Sequence, residues 1–177
     1  MRSTLQAVAD VLAETGAKAL LVGGVAVGQY GASRLTFDVD VAIAERDEAS
    51  ISAALQQRGF TRTYRAENFA RFQPPAAGFI VDFLFLDAAT FAAMWQGGVE
   101  ATLADRSFRV AAPEHLICMK LHALRFGSAE RLDRDVSDIL HLMKKCGWTP
   151  ETREFLDACS KYGTAPWGAL IRERWAP

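Results

Sequence analysis

Three stretches decide how this chain folds: Val22-Gly23-Gly24, then Arg34-Leu35-Thr36-Phe37-Asp38-Val39-Asp40, then Ile80-Val81-Asp82-Phe83-Leu84. All three acids stand among apolar residues. An ionised carboxylate in such surroundings is costly unless it is paired or holds a metal. Asp38 and Asp40 are two apart on an expected strand, so they project from one face while Val39, Val41 and Ile43 pack on the other. Asp82, on a second expected strand, completes a cluster of three carboxylates able to hold two Mg²⁺ ions, the arrangement that orients a triphosphate and stabilises attacking and leaving oxygens. Asp82 is also a candidate general base toward an acceptor hydroxyl. Any one of these acids alone would pass for a strand-edge acid, and the pair at 38 and 40 is the stronger signal.

Gly23 and Gly24 end a short apolar run, Ala19 to Val22, and open a short helix over 25–30. Without side chains there, backbone N–H groups and the positive helix end can approach phosphate oxygens. Taken alone, the glycine pair is equally an ordinary tight turn. Arg34 and Thr36 lie just before the acids, where they can touch phosphate or fix the loop.

Working outward, Leu5, Val8, Val11 and Leu12 repeat at helical spacing up to Gly16. Residues 37–43 alternate acid and aliphatic as a strand does. A helix is expected over 48–57, closed by Gly59. Residues 60–65 and 69–73 suit an antiparallel ribbon, and 79–86 the next strong strand. The character changes after about Arg109. Pro113 is well placed to start a helix with Leu116, Ile117, Leu121 and Leu124 on its apolar side. Leu132, Val136, Ile139, Leu140 and Met143 make a further helical stripe ending before Gly147, and Thr149-Pro150-Glu151-Thr152 resembles another helix start. The expected architecture is α/β (α+β), with a mixed sheet flanked by helices over 1–110 and a helical C-terminal region, 111–177, packed on that core.

The 177 residues, 50% of them hydrophobic, suffice for a proper core. A formal net charge of −1 gives little long-range pull on nucleic acid, so any RNA contact must rely on a local patch. Arg58, Arg62, Arg65 and Arg71, interleaved with Phe60, Tyr64, Phe69 and Phe72, can supply one. The same pattern fits a ribbon with aromatics inward and arginines in water, the favoured reading. Three cysteines without C-x-x-C spacing support neither a disulfide framework nor a structural zinc site. No run approaches membrane-spanning length, so the expectation is a cytoplasmic protein with no membrane contact.

Val22-Gly23-Gly24, Asp38-Val39-Asp40 and Asp82 resemble, in order and context, the nucleotidyltransferase fold superfamily. The stretch Tyr30-Gly31-Ala32-Ser33-Arg34-Leu35-Thr36 looks like its minimal and AbiEii-type branches. Lys120-Leu121-His122-Ala123, followed by Arg131 and Asp135-Val136-Ser137-Asp138, is similar to the lysine and Lys-Asp-x-x-Asp elements of AbiEii-like proteins, with Arg134 where the latter has lysine. The resemblance implies Mg²⁺-dependent transfer of a nucleoside monophosphate from a nucleoside triphosphate to a hydroxyl. Asp38, Asp40 and Asp82 would hold metal, Gly23, Gly24, Arg34 and Thr36 the nucleotide, and Lys120 would neutralise phosphate with Asp135 or Asp138 in support. The acceptor would be RNA in toxin-like members, with an antitoxin protein as partner, or a small hydroxylated molecule in resistance-type members. The helical segment leans slightly to RNA. A non-catalytic nucleotide- or partner-binding member is the alternative. On spacing alone, residues 131–138 equally describe a salt-bridged solvent face, and Lys120 a snorkelling lysine.

Overall fold

A computed structural model of the chain describes residues 3–32, 35–126 and 129–176, leaving aside the side chains of 129 and 130. The chain divides into two compact units, Met1–Gln29 with Ser33–Ala111, and Tyr30–Ala32 with Ala112–Pro177.

The first unit opens with α1 (Thr4–Thr15). Its start is fixed by a reciprocal cap, in which Ser3 Oγ accepts from the Gln6 N–H and the Gln6 side chain accepts from the Ser3 N–H. Gly16, at φ 66°, ends it in the left-handed conformation glycine adopts freely. Then come β1 (Ala19–Leu21), α2 (Gly23–Gln29), β2 (Asp38–Ala44), a short 3₁₀ turn, α3 (Glu48–Gln57), β3 (Thr61–Ala66), β4 (Phe69–Gln73), β5 (Ile80–Leu86), α4 (Ala88–Gly97), β6 (Val99–Leu103) and β7 (Arg106–Val110). The strands form one mixed sheet in the order β3-β4-β5-β2-β1-β7-β6.

Two pairings are parallel, β2 with β5 and β1 with β7, and the other four antiparallel. The β2–β5 ladder runs from Asp38 opposite Ile80 to Ala44 opposite Leu86. Its apolar face carries Val39, Val41 and Ile43 beside Val81, Phe83 and Phe85, all buried. Phe72 of β4 meets Phe83 edge-on at 5.9 Å between ring centroids. Burying this face forces the alternate residues, the acids among them, to the other side of the sheet.

Helix α4 and the β6–β7 hairpin lie in a segment where sequence periodicity is silent, for identifiable reasons. Only Phe91 and Met94 of α4 are buried. Strand β6 is a sheet edge with no buried residue. The connecting residues Ala104 and Asp105, at φ 48° and 59°, adopt the left-handed turn that Asn-Gly usually announces. In the ribbon, Phe60 and Phe72 do turn inward, but Tyr64 is 57% exposed.

The second unit contains α5 (Pro113–Phe126), α6 (Ala129–Cys146), α7 (Arg153–Tyr162) and α8 (Ala165–Arg174). Leu116, Ile117, Leu121, Val136, Ile139, Leu142, Met143, Phe155 and Ile171 are among its buried apolar residues. The Thr149–Thr152 turn precedes α7 rather than belonging to it, with Thr152 at the N-cap. Among the described residues no helix is long and apolar enough to cross a membrane.

His115 in α5 places Nδ1 in a buried position with no hydrogen-bond partner. Burial pushes its pKa down, opposed by Glu114. A histidine kept neutral by folding contributes stability above its unfolded pKa of about 6.5 and loses it as pH falls through the depressed folded value. The melting temperature should therefore decline between pH 7 and pH 5, and His115→Gln should flatten that slope. An equal slope in both proteins would assign the acid sensitivity elsewhere.

Candidate active site

The parallel register sets Asp40 directly opposite Asp82, and Asp38 follows on the same face two residues earlier. One carboxylate oxygen from each of Asp38, Asp40 and Asp82 lies within 4.8 Å of the others. Asp82 is buried, and Asp38 and Asp40 are half-buried. Repulsion among three such charges must be offset locally, and the structure shows how.

Thr36 Oγ1 donates to Asp38 Oδ1 at 2.6 Å, which fixes that carboxylate from the loop ahead of β2. Asp40 is positioned against the glycine turn. The Val22 N–H donates to the Asp40 carbonyl at 3.0 Å, and Gly23 follows at φ 58° as the first residue of α2. A Cβ on Gly23 would stand 1.9 Å from Asp40 Oδ2, so the missing side chain is the room the carboxylate occupies. Gly24 is buried in the same first turn. Arg34 lies outside the described residues.

Asp82 has a partner that sequence reasoning did not single out. Arg71 of β4 stands opposite it in the antiparallel β4–β5 register. Arg71 Nε donates to Asp82 Oδ1 and Nη2 to Oδ2, both at 2.7 Å, a two-pronged clamp on both carboxylate oxygens. Hydrogen bonding to Asp82 holds the Arg71 guanidinium above its ordinary pKa against partial burial, with further help from the charges of Asp82, Asp38 and Asp40. The only signal in the sequence is an arginine in the strand preceding the acid, and that becomes specific once the register is known. Arg65, by contrast, is clamped by Glu48 at 2.7 Å on both prongs and lies over the Phe85 ring.

In the helical unit Lys120 is buried with Asp135 and Asp138. Its Nζ is 2.8 Å from Asp135 Oδ1 and 2.7 Å from Asp138 Oδ2. Residues 135 and 138, three apart on α6, present both acids to one point on α5. The segment is therefore neither a solvent face nor a snorkelling lysine. Arg131 Nε, on a largely exposed side chain, stands 4.0 Å from Asp135 Oδ2.

Gly23→Ala should be costly, because it adds left-handed strain and drives a methyl into the Asp40 carboxylate. The expected loss is about 1–3 kcal/mol in urea unfolding, and an unchanged midpoint would mean that Asp40 is not held where the turn places it. Lys120→Met should cost about 3–5 kcal/mol by removing the buried cation that two carboxylates share. Adding Asp135→Asn and Asp138→Asn should recover much of that loss, and no recovery would rule out uncompensated negative charge as its cause.

No family model matches the sequence, and no curated protein matches it. Its backbone is similar to that of ANT(2'')-Ia in complex with adenylyl-2''-tobramycin, with a TM-score of 0.66 at 14% identity, covering 97% of this chain and 97% of that one. It is also similar to an antigenic nucleotidyltransferase-like protein from Paracoccidioides brasiliensis, with a TM-score of 0.58 at 16% identity over 97% of this chain and 90% of that one. A third likeness is to the lincosamide antibiotic adenylyltransferase LnuA, lincomycin-bound, with a TM-score of 0.56 at 16% identity over 80% and 98%. The sheet order, the paired acids and these likenesses agree on one architecture, and the chain has the nucleotidyltransferase fold.

Proposed function

We propose that the protein transfers a nucleoside monophosphate from a nucleoside triphosphate to a hydroxyl group of a small molecule. What carries this reading is the meeting of Asp38, Asp40 and Asp82 within 4.8 Å, beside a glycine turn, on a nucleotidyltransferase fold. An all-carboxylate donor set of this spacing fits a hard divalent cation such as Mg²⁺. Asp38 and Asp40 would hold it with Asp82 joining, for two ions in full, and it would orient the triphosphate and stabilise charge on the attacking and leaving oxygens.

The chain's own residues have distinct parts in this reading. Thr36 keeps the Asp38 carboxylate aimed, and Gly23 leaves space for that of Asp40. The N–H groups at Gly23 and Gly24 are offered to phosphate oxygens at the start of α2, with Arg34 as a further phosphate contact. The acceptor oxygen attacks the α-phosphorus and gives its proton to Asp82, and the bond to pyrophosphate breaks. Lys120 keeps the assisting part that the resemblance gives it, and its charge is shared by Asp135 and Asp138.

Two observations favour a small acceptor. One whole-chain likeness is to a protein in complex with adenylyl-2''-tobramycin, and another likeness is to one that is lincomycin-bound. Arg65, which an RNA-tracking surface would use, is already paired with Glu48. RNA is the second reading, resting on Arg62 and Tyr64 exposed on the edge strand β3.

Asp40→Asn should keep the fold, by circular dichroism and melting temperature, and abolish Mg²⁺-dependent release of pyrophosphate from triphosphate in the presence of acceptor. Turnover equal to the parent would sink the reading. Labelled tRNA and a panel of hydroxylated small molecules should be titrated at two salt concentrations. A small acceptor binds almost independently of salt, whereas RNA affinity should fall steeply as neutralised phosphates release counterions.

A further inference from the structure

Resting on that reading, we infer that Arg71 is a built-in counter-ion that takes the place of a second divalent cation at Asp82 and must withdraw before that cation can bind. Arg71 engages both Asp82 oxygens at 2.7 Å, and Asp82 is only 3% exposed, so its carboxylate has little other approach. Three carboxylates and one guanidinium sum to −2, the charge one divalent cation balances. With Arg71 gone the cluster stands at −3, and a second cation gains a site.

Arg71 is free to leave in a way that Asp82 is not. Its side chain is 44% exposed against 5% for that of Asp82. In the clamped position the guanidinium carbon also lies 5.9 Å from the ring centroid of Phe69 on the same strand. Arg65, held by Glu48 over Phe85, has no such contact with the three acids.

The test uses the full chain without nucleotide and Mn²⁺ as the probe, followed by electron paramagnetic resonance and calorimetry. The parent should bind one Mn²⁺ in its tight class, and Asp40→Asn should lose it. Arg71→Met should bind a second Mn²⁺ about tenfold more tightly than the parent does, within the 5–150-fold range of ordinary coupling between sites. Equal stoichiometry and affinity in the parent and Arg71→Met, with Asp40→Asn still weakened, would overturn the counter-ion role and leave the functional reading standing. Absence of Mn²⁺ binding by the parent and by Arg71→Met alike would overturn both. Should Arg71→Met fail to fold, the parent itself decides: the Arg71 Nε–H resonance should shift progressively on Mg²⁺ titration, and an unmoved resonance at saturating Mg²⁺ rejects the inference.

Discussion

The rest of the first unit is organised around one electrostatic constraint, the placing of Asp40 directly across from Asp82 in a parallel ladder. Burial of Val39, Val41, Val81 and Phe83 sets the register, and the acids inherit their positions from it. A shift of one residue would send the carboxylates into the apolar layer, where ionised groups are not tolerated. The hydrophobic face therefore supplies the binding energy that holds like charges together on the other face. What remains of the repulsion is met by Thr36 at Asp38 and Arg71 at Asp82, while Asp40 lies in the space left by Gly23.

Most of this was legible because strands with one buried face announce themselves by alternation. Asp38-Val39-Asp40-Val41 states both the element and the face, and α3 matches its expected bounds at Glu48 and Gln57. The glycine pair was legible as a turn, but the space Gly23 leaves for Asp40 depends on a contact seventeen residues away in sequence and only appears in three dimensions. Arg71 was hidden for the same reason. Among three arginines and three aromatics on the two ribbon strands, only the β4–β5 register distinguishes the one that faces Asp82 from Arg65, which faces Glu48. Helix α4 and the β6–β7 hairpin escaped because weak burial and a turn without glycine leave little periodic or turn signal to read.

The helical unit uses the opposite economy of charge. Lys120 brings one positive charge to two buried aspartates, and the cluster is anchored by two helices rather than by a sheet. Such an ion group is weak evidence for net stability, since apolar residues of similar volume often do as well. Its strength lies in geometry. Three charges that must meet at one point fix the rotation of α6 on α5 more sharply than Leu116, Val136 and Ile139 can by packing alone, because an apolar stripe tolerates repacking and a stranded carboxylate does not.

Stability and chemistry then meet at Asp82. In the absence of a cation, the Arg71 clamp spares the fold a buried and unpaired carboxylate, a penalty of several kcal/mol when one partner of such a pair is lost. The same clamp occupies both oxygens that a cation or an acceptor's proton would need. A cation that displaces Arg71 contributes only its surplus over the ion pair it breaks, so affinity at this position is held below what three bare carboxylates would give. In the proposed reaction a bound triphosphate would shift that balance, because its negative charge would attract both the cation and the guanidinium. On the proposed reading the nucleotide would complete the electrostatics of the site, and without it the fold keeps its third carboxylate paired with Arg71.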